Sequence, residues 1–345
     1  MQALILAGGQ GTRLLPLTEA VPKPVLPLAG RPHIAYVIDW LRSHGVDEVV
    51  VSCGHLADGV RAALEGVGGP RVSFAEEPEA RGTAGAIRFA EDQLGERFLV
   101  LNGDVLCDLD LSAMIAQHER SGARATIALY PVSDPSAYGL VRRTEDGAIT
   151  DFLEKPEPAE IDTDEINAGA YFLEREVLDM IPANRAVSIE REVFPRLVGG
   201  GLYGRRLEGY WMDIGTPERF LQASWDILER RLETATGAEV GDDGLLLAPG
   251  AEVHAGATVT GPALVGDGAT IGEGAKIGPR AVIGPGSSIA ERAEIAGSVL
   301  LSGCTVGAGA SLERVILSAE AVIAPGAAPE PGSVLGEGER VGAPK

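Results

Sequence analysis

The sequence predicts an α/β fold with a mostly parallel, doubly wound sheet, followed by a parallel β-helix. Three observations predict it. Residues 3–7 form an apolar run that stops on Gly8 and Gly9, as a buried strand does where it gives way to a loop. Strand-like and helix-like patterns then alternate as far as about residue 110, the rhythm of βα units. From Val253 onward an aliphatic residue recurs every six positions, a period that belongs to neither helices nor isolated strands.

The elements follow in order. Ile34, Val37, Ile38 and Leu41 lie on one helical face, with Pro32 at the expected first helical position and Gly45 as the stop. Residues 49–51 read as a second strand and residues 72–74 as a third, separated by a short helix carrying Val60, Ala63 and Leu64. Residues 83–94 read as a helix and 98–101 as a fourth strand, which runs into Asn102-Gly103-Asp104. Between 124 and 215 the segments read as shorter, turn-separated strands, an elaborated half expected to close over a second substrate. A helix over 217–234 carries Phe220, Leu221, Trp225, Leu228 and Leu232, and Thr216-Pro217 supplies its cap.

Val253, Val259, Val265, Ile271, Ile277, Ile283, Ile289 and Ile295 keep the six-residue period, with Gly, Ala and Pro between them. Each side of a coil then contributes one short strand and one inward aliphatic residue. The register slips after Leu301 and resumes at Val306 and Leu312, which predicts a bulged or terminal coil that caps the open end. The expected division is residues 1–235 and residues 236–345.

Composition narrows the function. The net charge is −21, which excludes nucleic acid and anionic membrane as natural partners. Mean hydropathy is +0.10, and no apolar run reaches the ~18 residues of a membrane span. No basic leader precedes the first strand. Cys53, Cys107 and Cys304 are far apart and odd in number, so the expectation is a reducing cytoplasm. Lysine is rare: only Lys23, Lys155, Lys276 and Lys345 occur, and the first two are each followed by proline. A compact ammonium kept at these two places suits a phosphate, with chance in an Arg-rich chain as the lesser alternative.

The chemistry-bearing motifs begin with Gly8-Gly9-Gln10-Gly11-Thr12-Arg13, followed by Pro22-Lys23-Pro24. Glycines after a strand let backbone N–H groups approach a phosphate. No Lys follows Gly11, so this is not a Walker A loop, and Leu14 stands where a dinucleotide fingerprint needs its third Gly. Asp104 ends a buried run, and Asp213 lies in Gly209-Tyr210-Trp211-Met212-Asp213. Either carboxylate can hold Mg²⁺ or serve as an ordinary turn or cap residue. Glu154-Lys155 and Asn167 offer an anion, a cation and an amide, suited to a sugar phosphate or to solvent. Glu77, five residues before Gly82, offers two acceptors to guanine N1–H and its exocyclic amine, or is a solvated acidic turn.

Taken in order, GGQGTRLLPLT, PKP, EEP…GTAG, LNGD, YGLV, EKP, INAG, SIEREVFP and GYWMDIGTP span residues 1–225. This series resembles the sugar-phosphate nucleotidylyltransferase family, nearest its mannose-1-phosphate guanylyltransferase branch. The resemblance implies a Rossmann-like nucleotidyltransferase domain with a left-handed β-helix tail, and Mg²⁺ as cofactor. It implies that Leu6, Ala7, Gly8, Gly9, Gly11, Thr12, Arg13 and Lys23 hold the nucleotide triphosphate, and that Glu77, Gly82 and Thr83 face the base. Tyr138, Gly139, Glu154, Lys155 and Asn167 would hold the sugar 1-phosphate, and Asp104 and Asp213 the metal. Arg13, Lys23, Asp104, Lys155 and Asp213 would carry the catalysis. GTP is the expected nucleotide, and a homo-oligomer through the β-helix the expected assembly.

Three rivals stand beside this expectation. A thymidylyl- or uridylyltransferase acting on glucose 1-phosphate shares the fold and most motifs. A hexapeptide-repeat acyltransferase usually employs a His base, and the tail has only His254, in its first coil. A non-catalytic regulatory subunit would be expected to lose phosphate or metal residues, which are all present here.

Overall fold

Every strand of the central parallel set ends on a residue or loop that the sequence singled out. The computed structural model describes residues 1–54, 56–183, 185–233 and 244–342. Strand β1 (Gln2–Leu6) pairs in parallel with β2 (Glu48–Cys53) on one side, and β2 pairs in parallel with β3 (Arg71–Glu76). On the other side β1 pairs in parallel with β4 (Arg97–Asn102), with Leu6 opposite both Ser52 and Asn102. Gly8, Glu77 and Asp104 therefore all follow carboxyl ends of neighbouring parallel strands, where open α/β sheets bind ligands.

The sheet continues through β5 (Ala125–Pro131), β6 (Gly139–Arg143), β7 (Ile149–Glu154), β8 (Glu165–Glu174) and β9 (Leu202–Arg206). Its main path runs β7-β6-β8-β4-β1-β2-β3, with β5 also on β8 and β9 on β5. Strand β8 is antiparallel to β4, β5 and β6, while β9 is parallel to β5. The expectation of uniformly shorter strands beyond residue 124 fails at β8, whose ten residues exceed any strand of the parallel set. It is long because six of its residues are buried in succession, which ties both halves of the sheet to one core.

Helices α1 (His33–Ser43), α2 (Ala57–Leu64), α3 (Gly82–Phe89) and α4 (Leu111–Ser121) complete the βα units. Pro32 falls just outside α1, in a two-residue strand, rather than at its first position. The 83–94 expectation divides into α3 and a separate 3₁₀ turn at Glu91–Gln93. Helix α5 (Pro217–Leu228) is shorter than 217–234, and Thr216 caps it by accepting from the Arg219 N–H. The core against the sheet includes Leu4, Val50, Phe98, Val100, Tyr171 and Phe194.

From Leu245 to Val341 the chain winds into three parallel sheets, the sides of a β-helix. Neighbouring coils are offset by eighteen residues at first, as in Glu252↔Thr270 and Ala263↔Ala281. The offset is seventeen at Val282↔Val299 and Thr305↔Val322, and returns to eighteen at Ile316↔Val334. The register slip is thus one residue missing from each of two successive coils, at a corner, not a bulge or a terminal cap. Leu300, not Leu301, takes the inward place, and Leu317, Ile323 and Leu335 continue the core. At the shortened corners Ser298 supplies a hydroxyl that accepts from the Val315 N–H at 3.0 Å.

The chain forms two compact units: residues 1–9 with 37–211, and residues 10–36 with 212–345. This division differs from a single cut between 235 and 236, and that cut itself lies outside the described residues. Within the second unit, Trp225 of α5 lies between the guanidinium groups of Arg280 and Arg314, 5.4 and 5.6 Å from its ring centre. A Cβ at Gly30 would lie 3.3 Å from Leu264, so the 10–36 segment also packs on the β-helix.

Candidate active site

The first unit carries the groups expected around the base and the sugar phosphate. Glu77 follows β3 and is only 8% exposed. Its Oε1 accepts from Ser52 Oγ at 2.7 Å and its Oε2 from the Arg81 N–H at 3.2 Å. A Cβ at Gly8 would lie 3.2 Å from that Oε1, so glycine lets the loop after β1 close onto the carboxylate. Burial raises the Glu77 pKa above the usual carboxylate value, against the lowering effect of the two hydrogen bonds and of Arg81. Leu6 and Ala7 lead into the loop: the Gly103 N–H donates to the Leu6 carbonyl and the Ala7 N–H to the Ser52 carbonyl. The β1 loop and Asn102-Gly103-Asp104 are thereby side by side.

Gly82 has φ +69°, and a Cβ there would lie 2.6 Å from the Val187 carbonyl oxygen. The Ala84 and Gly85 N–H groups both donate to that same oxygen, which fastens the start of α3 to the segment before Glu190. Thr83 turns its hydroxyl to Glu190 Oε2 at 2.8 Å.

On the other side, Gly139 and Glu154 face each other across β6 and β7, and a Cβ at Gly139 would lie 3.1 Å from Glu154 Oε2. Burial raises the Glu154 pKa, and the charge of Glu190 adds to it; Lys155 and Arg191 oppose. Lys155 has φ +55°, a left-handed backbone that costs a side-chain-bearing residue on the order of 1–3 kcal/mol. Its N–H donates to the Tyr138 carbonyl at 3.0 Å, so the strain is tied to the Tyr138–Gly139 turn. Asn167 donates from Nδ2 to the Tyr171 hydroxyl at 2.9 Å and accepts the Gly169 N–H on Oδ1 at 3.0 Å. Gly169 is left-handed, and a Cβ there would lie 2.9 Å from Asn102 Nδ2. Asn102 Oδ1 is buried with no hydrogen-bond partner among the described residues. Trp211 donates from Nε1 to the Ala168 carbonyl at 2.8 Å and stands edge-on to Tyr138, while Tyr130 stacks on it.

The second unit carries the rest of the groups expected around the triphosphate, Gly11, Thr12, Arg13 and Lys23, and one of the two expected metal ligands, Asp213. Gly11 has φ +62°, and a Cβ there would lie 2.9 Å from Thr18 Cγ2 and 3.3 Å from Lys23 Cβ. Thr18 also donates to the Gly11 carbonyl at 3.0 Å, which folds Lys23, 8% exposed, back onto the loop. Thr12 and Arg13 form a 3₁₀ turn. Asp213 is buried: it accepts the Gly215 N–H on Oδ1 and Arg219 Nη1 on Oδ2, both at 2.8 Å. A Cβ at Gly215 would lie 2.7 Å from both Arg13 Nη2 and Asp213 Oδ1. Arg13 and Asp213, two hundred positions apart in sequence, thus meet around one glycine.

Asp104, in the first unit, and Asp213, in the second, are the two carboxylates that the sequence reading expects at a metal. Among the described residues no group of three or more His, Cys, Asp or Glu could hold a metal ion by itself. A carboxylate is a hard oxygen donor that suits a divalent ion such as Mg²⁺, which takes one or two carboxylates with substrate phosphates completing its shell. Sequence reasoning missed Ser52, Asn102, Tyr171, Glu190 and Trp211. Glu190 and Trp211 stand inside motifs already singled out, SIEREVFP and GYWMDIGTP. Ser52 and Tyr171 carry no local signal, because each is brought in by strand register.

The nucleotidyl transferase family profile matches residues 2–230, and the profile of the GMPPB C-terminal domain matches residues 259–343. The chain belongs to the nucleotidyl transferase family. It is 38% identical over 263 residues to mannose-1-phosphate guanylyltransferase of Mycobacterium tuberculosis, covering 73% of this chain and 72% of that one. It is 40% identical over 229 residues to mannose-1-phosphate guanyltransferase beta-A of Xenopus laevis, covering 64% of this chain and 63% of the relative. Among solved structures, HddC from Yersinia pseudotuberculosis matches with a TM-score of 0.59 at 29% identity, covering 66% of this chain and 99% of that one. A second structure of HddC, complexed with GMP-PN, has a TM-score of 0.57. Enzymes of this family generally use a divalent metal ion. Among the described residues no helix is long and apolar enough to cross a membrane.

Proposed function

We propose that this chain converts GTP and mannose 1-phosphate into GDP-mannose and pyrophosphate. The observation that carries the choice of base is Glu77, a buried carboxylate against Gly8 at the carboxyl end of the parallel strands. It presents acceptors alone when ionised, matching the two adjacent donors of guanine. The names of the relatives support the choice of sugar.

In the reaction a phosphate oxygen of the sugar 1-phosphate attacks the α-phosphorus in line. A new P–O bond forms, the bond to the bridging α–β oxygen breaks, and its electron pair leaves with pyrophosphate. The attacking phosphate is already ionised at neutral pH, so no general base and no covalent protein intermediate are needed. The protein's work is positioning and charge neutralisation. Backbone N–H groups at Gly8, Gly9 and Gly11, with Thr12, Arg13 and Lys23, bind the triphosphate, and Arg13 also neutralises the departing pyrophosphate. Gly82 and Thr83 border the base. Lys155 holds the sugar phosphate, and its strained backbone fits a group fixed in one direction. Tyr138, Gly139, Glu154 and Asn167 border the sugar. Mg²⁺, with Asp104 and Asp213 as its protein ligands, would neutralise charge on the phosphate oxygens.

Residues 1–235 form the catalytic portion in this reading and residues 236–345 a left-handed β-helix through which copies assemble. Exposed Leu247 and Val253 on the first coil support assembly. The test is a panel of five NTPs against mannose and glucose 1-phosphates, followed by pyrophosphate release. GTP with mannose 1-phosphate should be the best pair. Better turnover of dTTP or UTP with glucose 1-phosphate would replace this reading with the thymidylyl- or uridylyltransferase one.

A further inference from the structure

One carboxylate outside the expected site joins its two substrate sides. Glu190 lies in the short π-helical stretch Ile189–Val193, capped by Ser188. Its Oε2 accepts from Thr83 Oγ1 at 2.8 Å and from Ser188 Oγ at 2.6 Å. Its Oε1 faces the Tyr171 hydroxyl at 3.5 Å. That hydroxyl receives Asn167 Nδ2 at 2.9 Å, and Thr83 Oγ1 in turn accepts the Ile189 N–H at 2.8 Å. The result is a continuous chain of hydrogen bonds from the start of α3 to Asn167 on β8. It passes through Tyr171, which is wholly buried, and spans the register shift of β8 against β5 between Asn167 and Tyr171.

We propose that Glu190 is a positioning residue that couples the nucleotide side, at Gly82 and Thr83, to the sugar-phosphate side, at Asn167 and Tyr171. The proposal rests on the assignment of those two sides given above. The residue type fits the task. An ionised carboxylate is acceptor-only, and three hydroxyls point donors at it. A buried network with its members satisfied holds one arrangement, whereas a partly satisfied one loosens. A group that fixes both sides at once makes order at one side available to the other, which is a coupling free energy between two sites. The charge of Glu190 also reaches Glu154, where it works with burial against ionisation.

Glutamine at this position separates the two links. Its carbonyl oxygen can still accept from Thr83 and Ser188. Its amide then presents a donor to the Tyr171 hydroxyl, which already receives Asn167 and must turn its own proton away from position 190 toward Asn102, so the charge-assisted bond from Tyr171 to the carboxylate is lost. Glu190→Gln should therefore cut the Tyr171 link alone, and Glu190→Ala both links.

The experiment measures KM for each substrate, with whichever NTP and sugar 1-phosphate the wild-type protein turns over best, in Glu190→Gln, Glu190→Ala, Tyr171→Phe and the Glu190→Gln/Tyr171→Phe double variant. Thermal unfolding is followed in parallel. Glu190→Gln and Tyr171→Phe should each raise KM for the sugar 1-phosphate on the order of tenfold and leave KM for the NTP unchanged. The double variant should be no worse than either single one. Glu190→Ala should raise both KM values. If it does not fold, Glu190→Gln and Tyr171→Phe carry the test alone. Lowered thermal stability with both KM values at wild-type level would reduce Glu190 to a structural role and overturn the proposal, as would additive effects of Glu190→Gln and Tyr171→Phe. A wild-type preference for a base other than guanine would overturn the guanylyl reading and leave the coupling measurable with the preferred pair.

Discussion

The sheet-containing part of the chain and the β-helix bury different things. Among the described residues, the buried charged side chains Lys23, Glu77, Glu165, Asp213 and Asp226 all precede residue 236. In the β-helix the buried polar residues are Ser287, Ser298 and Ser318. A buried charge is costly unless paired, so where one is retained it is held by partners or by a task. Glu165 is held by Arg143 and Arg206, and Asp226 by Arg231 and Gln222. Glu77 is held by Ser52 and the Arg81 N–H and Asp213 by Arg219 and the Gly215 N–H; with Lys23 these are the buried charges that the motifs had already marked. The difference teaches that the costly burial of charge is confined to the part that carries the marked motifs, while the repeat region is built on apolar burial.

The largest effect should come from the carboxylates. Asp104→Asn and Asp213→Asn should each lower turnover by about two orders of magnitude or more, because a lost metal ligand removes several kcal/mol of charge stabilisation. Asp213 is more buried than an exposed site carboxylate. Asparagine there can still accept the Gly215 N–H but leaves Arg219 facing a neutral group, so some loss of thermal stability should accompany the loss of rate. Near-normal turnover at saturating Mg²⁺ in either variant would remove that residue from the metal site. The β-helix should answer in the opposite way. Ile283→Ala empties an inward position and should cost about 2–5 kcal/mol of stability, read by denaturant unfolding, with KM for GTP unchanged. A raised KM without a loss of stability would break the contrast between the two regions.

How legible each region was follows from the range of its interactions. The six-residue period announced the β-helix because each coil repeats its neighbour, and only the two corners that each lose a residue escaped, since a one-residue gap has no pattern of its own. The parallel strands and the loop after β1 were equally plain, as each is a local apolar run ended by glycine or acid. Helix ends were less plain: α3 and α5 stop earlier than their apolar spacing suggests. The site divided along the same line. Glu77 and Lys23 stood out by residue type beside Pro, and Asp213 two residues before Gly215. Ser52 and Tyr171 did not, because they enter through strand register, and a Ser or Tyr within an apolar strand looks like any other strand residue, whereas Asn102 lay in a marked motif without a role of its own. The meeting of Arg13 with Asp213 around Gly215 is likewise long-range.

The most direct measurement compares kcat/KM for GTP with that for dTTP and UTP, in the wild-type protein and in Glu77→Gln, across pH. Guanine offers the ionised carboxylate two donors, while uracil and thymine set a carbonyl against it. The wild-type protein should therefore favour GTP by about 1–3 kcal/mol, roughly tenfold to a hundredfold. Burial raises the Glu77 pKa, so protonation begins at higher pH than for an ordinary glutamate. The preference should be greatest at high pH, where the carboxylate is ionised, and fall as pH drops through that raised value. Glu77→Gln should narrow the preference and abolish its dependence on pH. A wild-type protein that uses dTTP or UTP better than GTP, or a Glu77→Gln variant with the wild-type ratio at every pH, would contradict the account.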